Sequence, residues 1–192
     1  MPRIAPRDGG FMKKLTLPLT KEAITSLQCG ETVLLTGVVY TARDAAHAKM
    51  AEALRQDEPL PFDLRQACIF YAGPCPAMPG QVMNSCGPTT SKRMDAYAPM
   101  LYQKGVQCVL GKGPVAEEVK QAIVQNHCVY FTLTGGAGAL LARSIKKSKL
   151  VAYEELGAEA VRELWVEDFP ATVAVDTFGN DIFIEGPKAY KK

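Results

Sequence analysis

Runs of apolar residues alternate with amphipathic stretches along this chain. Residues 32–40 form a short apolar run rich in β-branched and aromatic side chains, which predicts a buried strand. Residues 43–55 follow with good helix formers at amphipathic spacing, and Glu58-Pro59-Leu60-Pro61 ends that helix. Residues 67–72 read as a second short strand. Gly73-Pro74-Cys75-Pro76 and Pro79-Gly80 then make a turn-rich loop, with a further short strand expected over 82–86. Residues 90–104 have helical composition, which Pro99 should kink or split.

The alternation continues through a strand at 106–110, a helix at 115–126 with Pro114 near its first turn, and a strand at 128–133. A helix is expected over 139–147. The last third changes character, with strands predicted over 150–153, 171–176 and 181–185. The last two flank Thr177-Phe178-Gly179-Asn180, whose composition suits a hairpin turn. No internal repeat and no linker divides the chain. These elements predict an α/β fold in which helices pack on one mixed sheet. Residues 1–12 read as a flexible N-terminal extension without the apolar core of a secretory signal, and 13–192 as a single domain.

Composition narrows the classes. Hydrophobic residues make up 47% of the 192, which excludes a disordered or fibrous chain. A net charge of +2 lacks the basic bias of a dedicated nucleic-acid binder. No apolar run is long enough to span a bilayer as a helix. The six cysteines (Cys29, Cys68, Cys75, Cys86, Cys108 and Cys128) contain no C-x-x-C pair and match neither zinc-ribbon nor ferredoxin spacing. Several sit inside apolar runs, so reduced thiols and a cytoplasmic location are expected, with no metal held by this chain.

Candidate chemistry centres on Gly87-Pro88-Thr89-Thr90-Ser91-Lys92-Arg93-Met94-Asp95. If Thr89 or Thr90 caps a helix here, free N–H groups and a hydroxyl share one space, and Arg93, four residues after Thr89, faces it too. A capped helix with a solvated arginine is the plain alternative. Gly111-Lys112-Gly113 follows a strand and lets backbone and ammonium approach a ligand, but the order of a P-loop is missing. Gly135-Gly136-Ala137-Gly138 breaks the dinucleotide fingerprint at Leu141, and close strand-to-helix packing explains it without a cofactor. Arg43 falls just past a strand and shares a helix face with His47. A guanidinium there suits a carboxylate, or else pairs with Asp44. Asp176 and Asn180 read as supports of a turn. Three cations and one hydroxyl, namely Arg43, Arg93, Lys112 and Thr89, thus follow strands or turns. Their pooled charge suits a substrate with two carboxylates. No acid–base pair accompanies them, as if the rest of the site lay elsewhere.

Five segments carry a resemblance. They are Thr41-Ala42-Arg43-Asp44-Ala45-Ala46-His47, Tyr71-Ala72-Gly73-Pro74, the 87–95 segment, Gly111-Lys112-Gly113, and Phe169-Pro170 through Asp176-Thr177-Phe178-Gly179-Asn180-Asp181. In that order, over about residues 13–185, they resemble the β subunit, or C-terminal domain, of class I iron–sulfur fumarate hydratases. The L(+)-tartrate dehydratase β subunits are close relatives. The alanines beside Arg43 look more like the fumarase branch.

This resemblance implies a swivelling β/β/α fold. It also implies an α subunit carrying a [4Fe–4S] cluster, an α2β2 assembly, and reversible hydration of fumarate to (S)-malate. By the same resemblance Arg43, Arg93 and Lys112 would bind substrate carboxylates and Thr89 would be base or proton relay. Thr90 and His47 would support them, and Gly87 would allow close backbone approach. The alternatives are an L(+)-tartrate dehydratase β subunit, or an anion-binding module that kept the fold without catalysis.

Overall fold

The computed structural model describes residues 12–188; apart from Met12, the expected N-terminal extension lies outside the described residues, as does 189–192. Seven strands form one mixed sheet. They are β1 (Lys13–Thr16), β2 (Thr32–Thr41), β3 (Cys68–Phe70), β4 (Cys108–Gly111), β5 (Val129–Thr132), β6 (Ile145–Ala152) and β7 (Val161–Val175). Six α-helices accompany them: α1 (Lys21–Ser26), α2 (Asp44–Arg55), α3 (Ala98–Gln103), α4 (Glu117–Gln125), α5 (Gly138–Ala142) and α6 (Ile182–Lys188). Strands β1 to β5 run parallel in order. Strand β7 is antiparallel to both β2 and β5, so β2-β3-β4-β5-β7 closes into a ring, with β1 and β6 added beside it. Mixed sheet and packed helices are as the sequence predicts.

Closure explains the continuous apolar runs. In β3, Cys68 and Phe70 belong to one buried cluster with Leu35, Leu110, Phe131 and Phe169. Ile69, between them, belongs to a second cluster with Met50, Leu101, Val119 and Ile123 of the helices. Alternate side chains therefore enter two different cores, and neither face of β3 needs polar residues. Helix α2 buries Ala46, His47, Met50, Ala51 and Ala53, a stripe at helical spacing.

Several expectations are corrected. The helix predicted over 139–147 stops at Ala142, and β6 begins at Ile145. Pairing with β7 outweighs the helix propensity of the lysines there. The strand predicted over 181–185 is α6 instead. The Asp181 carboxylate accepts the Phe183 N–H at 2.9 Å, as a cap does, and only a Val175–Asp181 bridge remains of the hairpin. The strand expected over 171–176 is the tail of 15-residue β7. Its first part carries Arg162, Glu163, Glu167 and Asp168, which masked the strand pattern. Of the 82–86 strand only a Cys75–Ser85 bridge exists. The 90–104 helix splits as Pro99 requires, into a one-turn 3-10 helix over Ser91–Met94 and then α3. Strand β1 and helix α1, of four and six residues, are too short to show a periodic pattern in the sequence.

Candidate active site

Parallel neighbours leave the loops after β2, β3 and β4 on one edge of the sheet. Thr41 lies against Phe70, and Phe70 against Leu110. Open parallel sheets place ligand groups at such carboxyl ends. Arg43 lies two residues beyond β2 and Lys112 one residue beyond β4. The 87–93 segment folds back over the same edge. Ala72 and Pro88 form an antiparallel bridge, the Thr89 N–H donates to the Tyr71 carbonyl at 2.7 Å, and Thr90 bridges Lys112 in parallel. Thr90 and Lys112 are thereby joined through paired backbone, with Thr89 next to the bridge in the chain.

The side chains extend this grouping. Asp44 Oδ1 lies 3.7 Å from Arg43 Nε and 3.9 Å from Arg93 Nη1, so one carboxylate links both arginines. Glu159 Oε1 approaches Arg43 Nη2 at 3.3 Å, while its other oxygen accepts the Ala45 N–H at 3.2 Å. Two arginines therefore face two carboxylates, and Lys112, whose side chain runs beside Gly135, adds the positive charge at the edge. Glycines make room for the cations. A Cβ at Gly73 would stand 3.0 Å from Arg43 Nη1, and one at Gly135 would stand 3.0 Å from Lys112 Cδ. Arg43, Thr89 and Lys112 are half-buried, whereas Thr90 and Arg93 are exposed. Three clefts of about 560, 420 and 380 Å³ are lined by other residues.

The expected helix cap is not formed. Thr90 precedes a four-residue 3-10 turn and makes no side-chain cap bond. The N–H groups of Thr89, Ser91 and Arg93 are spent on the carbonyls of Tyr71, Lys112 and Thr90. Side-chain cations, rather than free amides, supply the positive charge here. Thr89 and Arg93 are joined by this turn instead of by one helix face.

His47 lies beneath the rim. Its Nδ1 is 2.8 Å from the Arg43 carbonyl, which can only accept, so Nδ1 carries the proton. Nε2 is buried without a partner, and the ring stands edge-on to Tyr71 at 5.1 Å. Burial pushes the imidazole down to about 4, so it is neutral near pH 7 and supports Arg43 from below. Gly87 meets Gly138: a Cβ at 138 would fall 3.0 Å from the Gly87 nitrogen. Close backbone contact thus accounts for both glycines.

Sequence reasoning passed over Ser91 and Tyr130, which build the floor under Lys112. Ser91 Oγ accepts the Lys112 N–H at 3.0 Å and lies 2.8 Å from the Tyr130 hydroxyl. Only the buried position of Ser91 marks it, and no spacing rule reveals that. The Arg43–Asp44 pairing offered by the sequence is present, whereas Glu159, which reaches Arg43 from 116 positions away, carries no sequence signal. The turn reading of Asp176 holds: it accepts from the N–H groups of Cys29, Phe178 and Asn180 at 3.0–3.1 Å.

Comparison with known proteins identifies the family. The family model described as Fumarase C-terminus matches residues 2–186. A Methanocaldococcus jannaschii protein named "Putative L(+)-tartrate dehydratase subunit beta" is 41% identical over 91% of this chain and 93% of its own length. The L(+)-tartrate dehydratase subunit beta of Escherichia coli is 35% identical over 93% of this chain and 90% of its own. The aerobic class I fumarate hydratase of Salmonella typhimurium is 42% identical over 78% of this chain, which spans only 26% of that enzyme. By the extent of these matches, the chain belongs to the Fumarase C-terminus family.

Proposed function

We propose that this chain is the β subunit of a hydro-lyase that hydrates fumarate reversibly to (S)-malate. In this role it supplies the cationic part of a shared dicarboxylate site. One observation carries the proposal: Arg43 and Arg93, from separate segments, converge on Asp44 beside the paired Thr90–Lys112 backbone. Two guanidinium groups and an ammonium on one rim suit a dianion. The exposure of Thr90 and Arg93 suits a site completed by another chain, here an α subunit in an α2β2 assembly. Kinship with β subunits of tartrate dehydratase supports that division of labour. A cytoplasmic location belongs to the same proposal; among the described residues no helix is long and apolar enough to cross a membrane.

Among the described residues no group of three or more His, Cys, Asp or Glu side chains could hold a metal. They do not fit a [4Fe–4S] centre, and in this proposal the α subunit carries it. The work of this chain is electrostatic and prototropic. Arg43, Arg93 and Lys112 hold the carboxylates and stabilise the aci-carboxylate that forms as the C3 proton leaves malate. Thr89 takes that proton, the C2–O bond then breaks and the hydroxide leaves on the side the α subunit would complete, and in the hydration direction Thr89 returns the proton to C3. A threonine hydroxyl is a poor base by itself, and the neighbouring cations favour its alkoxide. His47, neutral and buried, stays out of the proton transfer.

A second reading has a specific observation behind it. The end-to-end matches are to tartrate dehydratase β subunits, whereas the fumarate hydratases are much longer. Length reports how the chains are divided, and the Ala45-Ala46 pair beside Arg43 favours fumarate. Anaerobic co-expression with the α subunit, followed by turnover of fumarate, (S)-malate and L(+)-tartrate, decides. Turnover of the first two is expected. Tartrate turnover alone would select the second reading, and binding without turnover of any would leave an anion-binding module.

A further inference from the structure

Two guanidinium groups on separate segments repel each other and drift apart unless something sets their spacing. Arg43 enters from the end of β2 and Arg93 from the 3-10 turn, and the carboxylate between them is Asp44. Its Oδ1 and the Arg43 Nε are both buried, with no hydrogen-bond partner. They face each other at 3.7 Å, too long for a direct hydrogen bond and closed to solvent. Asp44 is the first residue of α2, whose buried face fixes its position, and a helix N-terminus favours a carboxylate there. Glu159 steadies the far side of Arg43 alone and reaches no other cation in the group.

We infer that Asp44 is a positioning residue. Resting on the dicarboxylate reading above, it sets the separation of Arg43 and Arg93 and thereby selects substrates with two carboxylates over those with one. The alternative role has the opposite sign. If Asp44 merely competed with substrate for the arginines, its removal would leave the rim more positive and tighten binding. A positioning role requires weaker binding despite the extra positive charge.

Steady-state kinetics of the assembled complex separate the two, with succinate and propionate as inhibitors. In Asp44→Asn, KM for the dicarboxylate should rise on the order of tenfold, a cost typical of a misplaced clamp, with a smaller change in kcat. Inhibition by succinate should weaken in parallel, and inhibition by propionate should not change. Asp44→Glu keeps the charge but lengthens the arm, and should raise KM by less. It carries the test alone if the Asn variant does not assemble. A KM that is unchanged or lower overturns the inference. Arg43→Gln and Arg93→Gln serve as the reference. If they raise KM and the Asp44 variants do not, positioning alone fails. If they too leave kinetics unaltered, the dicarboxylate reading fails with it.

Discussion

Ser91 Oγ lies 2.8 Å from the Tyr130 hydroxyl, and that pair anchors the turn carrying Lys112. Tyr130 donates its hydrogen to the Gly113 carbonyl at 2.8 Å, so Ser91 must donate to Tyr130. Ser91 in turn accepts the Lys112 N–H at 3.0 Å. A relay of three hydrogen bonds thus runs from Lys112 through Ser91 and Tyr130 to Gly113. Both side chains are buried, so each bond is shielded from water.

Tyr130→Phe breaks this relay at its centre and leaves the Gly113 carbonyl and Ser91 hydroxyl short of a partner. A loss of about 1–3 kcal/mol in unfolding free energy is expected from urea denaturation. In the assembled enzyme kcat/KM should also fall, because the Lys112 turn loses its tether. Unchanged stability would mean that water replaces the hydroxyl.

His47 makes stability depend on pH with a definite sign. Its folded value, about 4, lies below the ordinary imidazole value of 6.5. The unfolded chain therefore binds more protons than the folded chain between these values, and stability rises with pH across that window. Stability present above pH 6.5 is lost as pH falls toward 4, by an amount of order 3 kcal/mol from this residue. Asn at position 47 can still donate to the Arg43 carbonyl but does not titrate. His47→Asn should flatten the pH dependence of unfolding between 4 and 6.5, and an unaltered slope would mean the ring is not buried as described.

Thiol reactivity should single out one cysteine. Cys75 is exposed, and Cys29, Cys68, Cys86, Cys108 and Cys128 are buried. Burial pushes the thiols of Cys29, Cys86 and Cys128 up to about 12, which suppresses the reactive thiolate. Iodoacetamide at pH 8 should add one label to the native chain, at Cys75, and six after denaturation, read by peptide mass mapping.

Asp176 should prove structurally costly although it lies outside the rim. It is 1% exposed and also accepts the Asn180 amide at 2.8 Å. Asp176→Ala strands three buried or half-buried backbone N–H groups and should cost about 3 kcal/mol or more in denaturant unfolding. Asp176→Asn, which keeps an acceptor, should cost less.

The sequence is most legible where one physical signal acts alone. Strand β2 and helices α2 and α4 follow from apolar spacing, and each lies within two residues of its expected bounds at either end. Legibility fails where partners decide. Residues 145–147 have helical composition but pair with Trp165 and Val166 of β7. Residues 182–185 have strand composition but follow an Asp181 cap. At the rim, Arg43, Arg93, Lys112 and Thr89 stand out in the sequence because they lie in segments that follow strands or turns, several of them bounded by glycine or proline. Asp44 stands beside Arg43 in sequence, but its approach to Arg93, the Glu159 contact and the Ser91–Tyr130 floor join positions far apart in sequence, which only the fold brings together.

Thr89→Ala in the complex with the α subunit gives the decisive result. Removing a proton-transfer group should lower kcat by roughly 10²–10⁴-fold while KM stays within a few-fold, since Arg43, Arg93 and Lys112 still hold the carboxylates. Turnover equal to that of the unaltered complex would show that the hydroxyl at the cationic rim takes no part in the reaction.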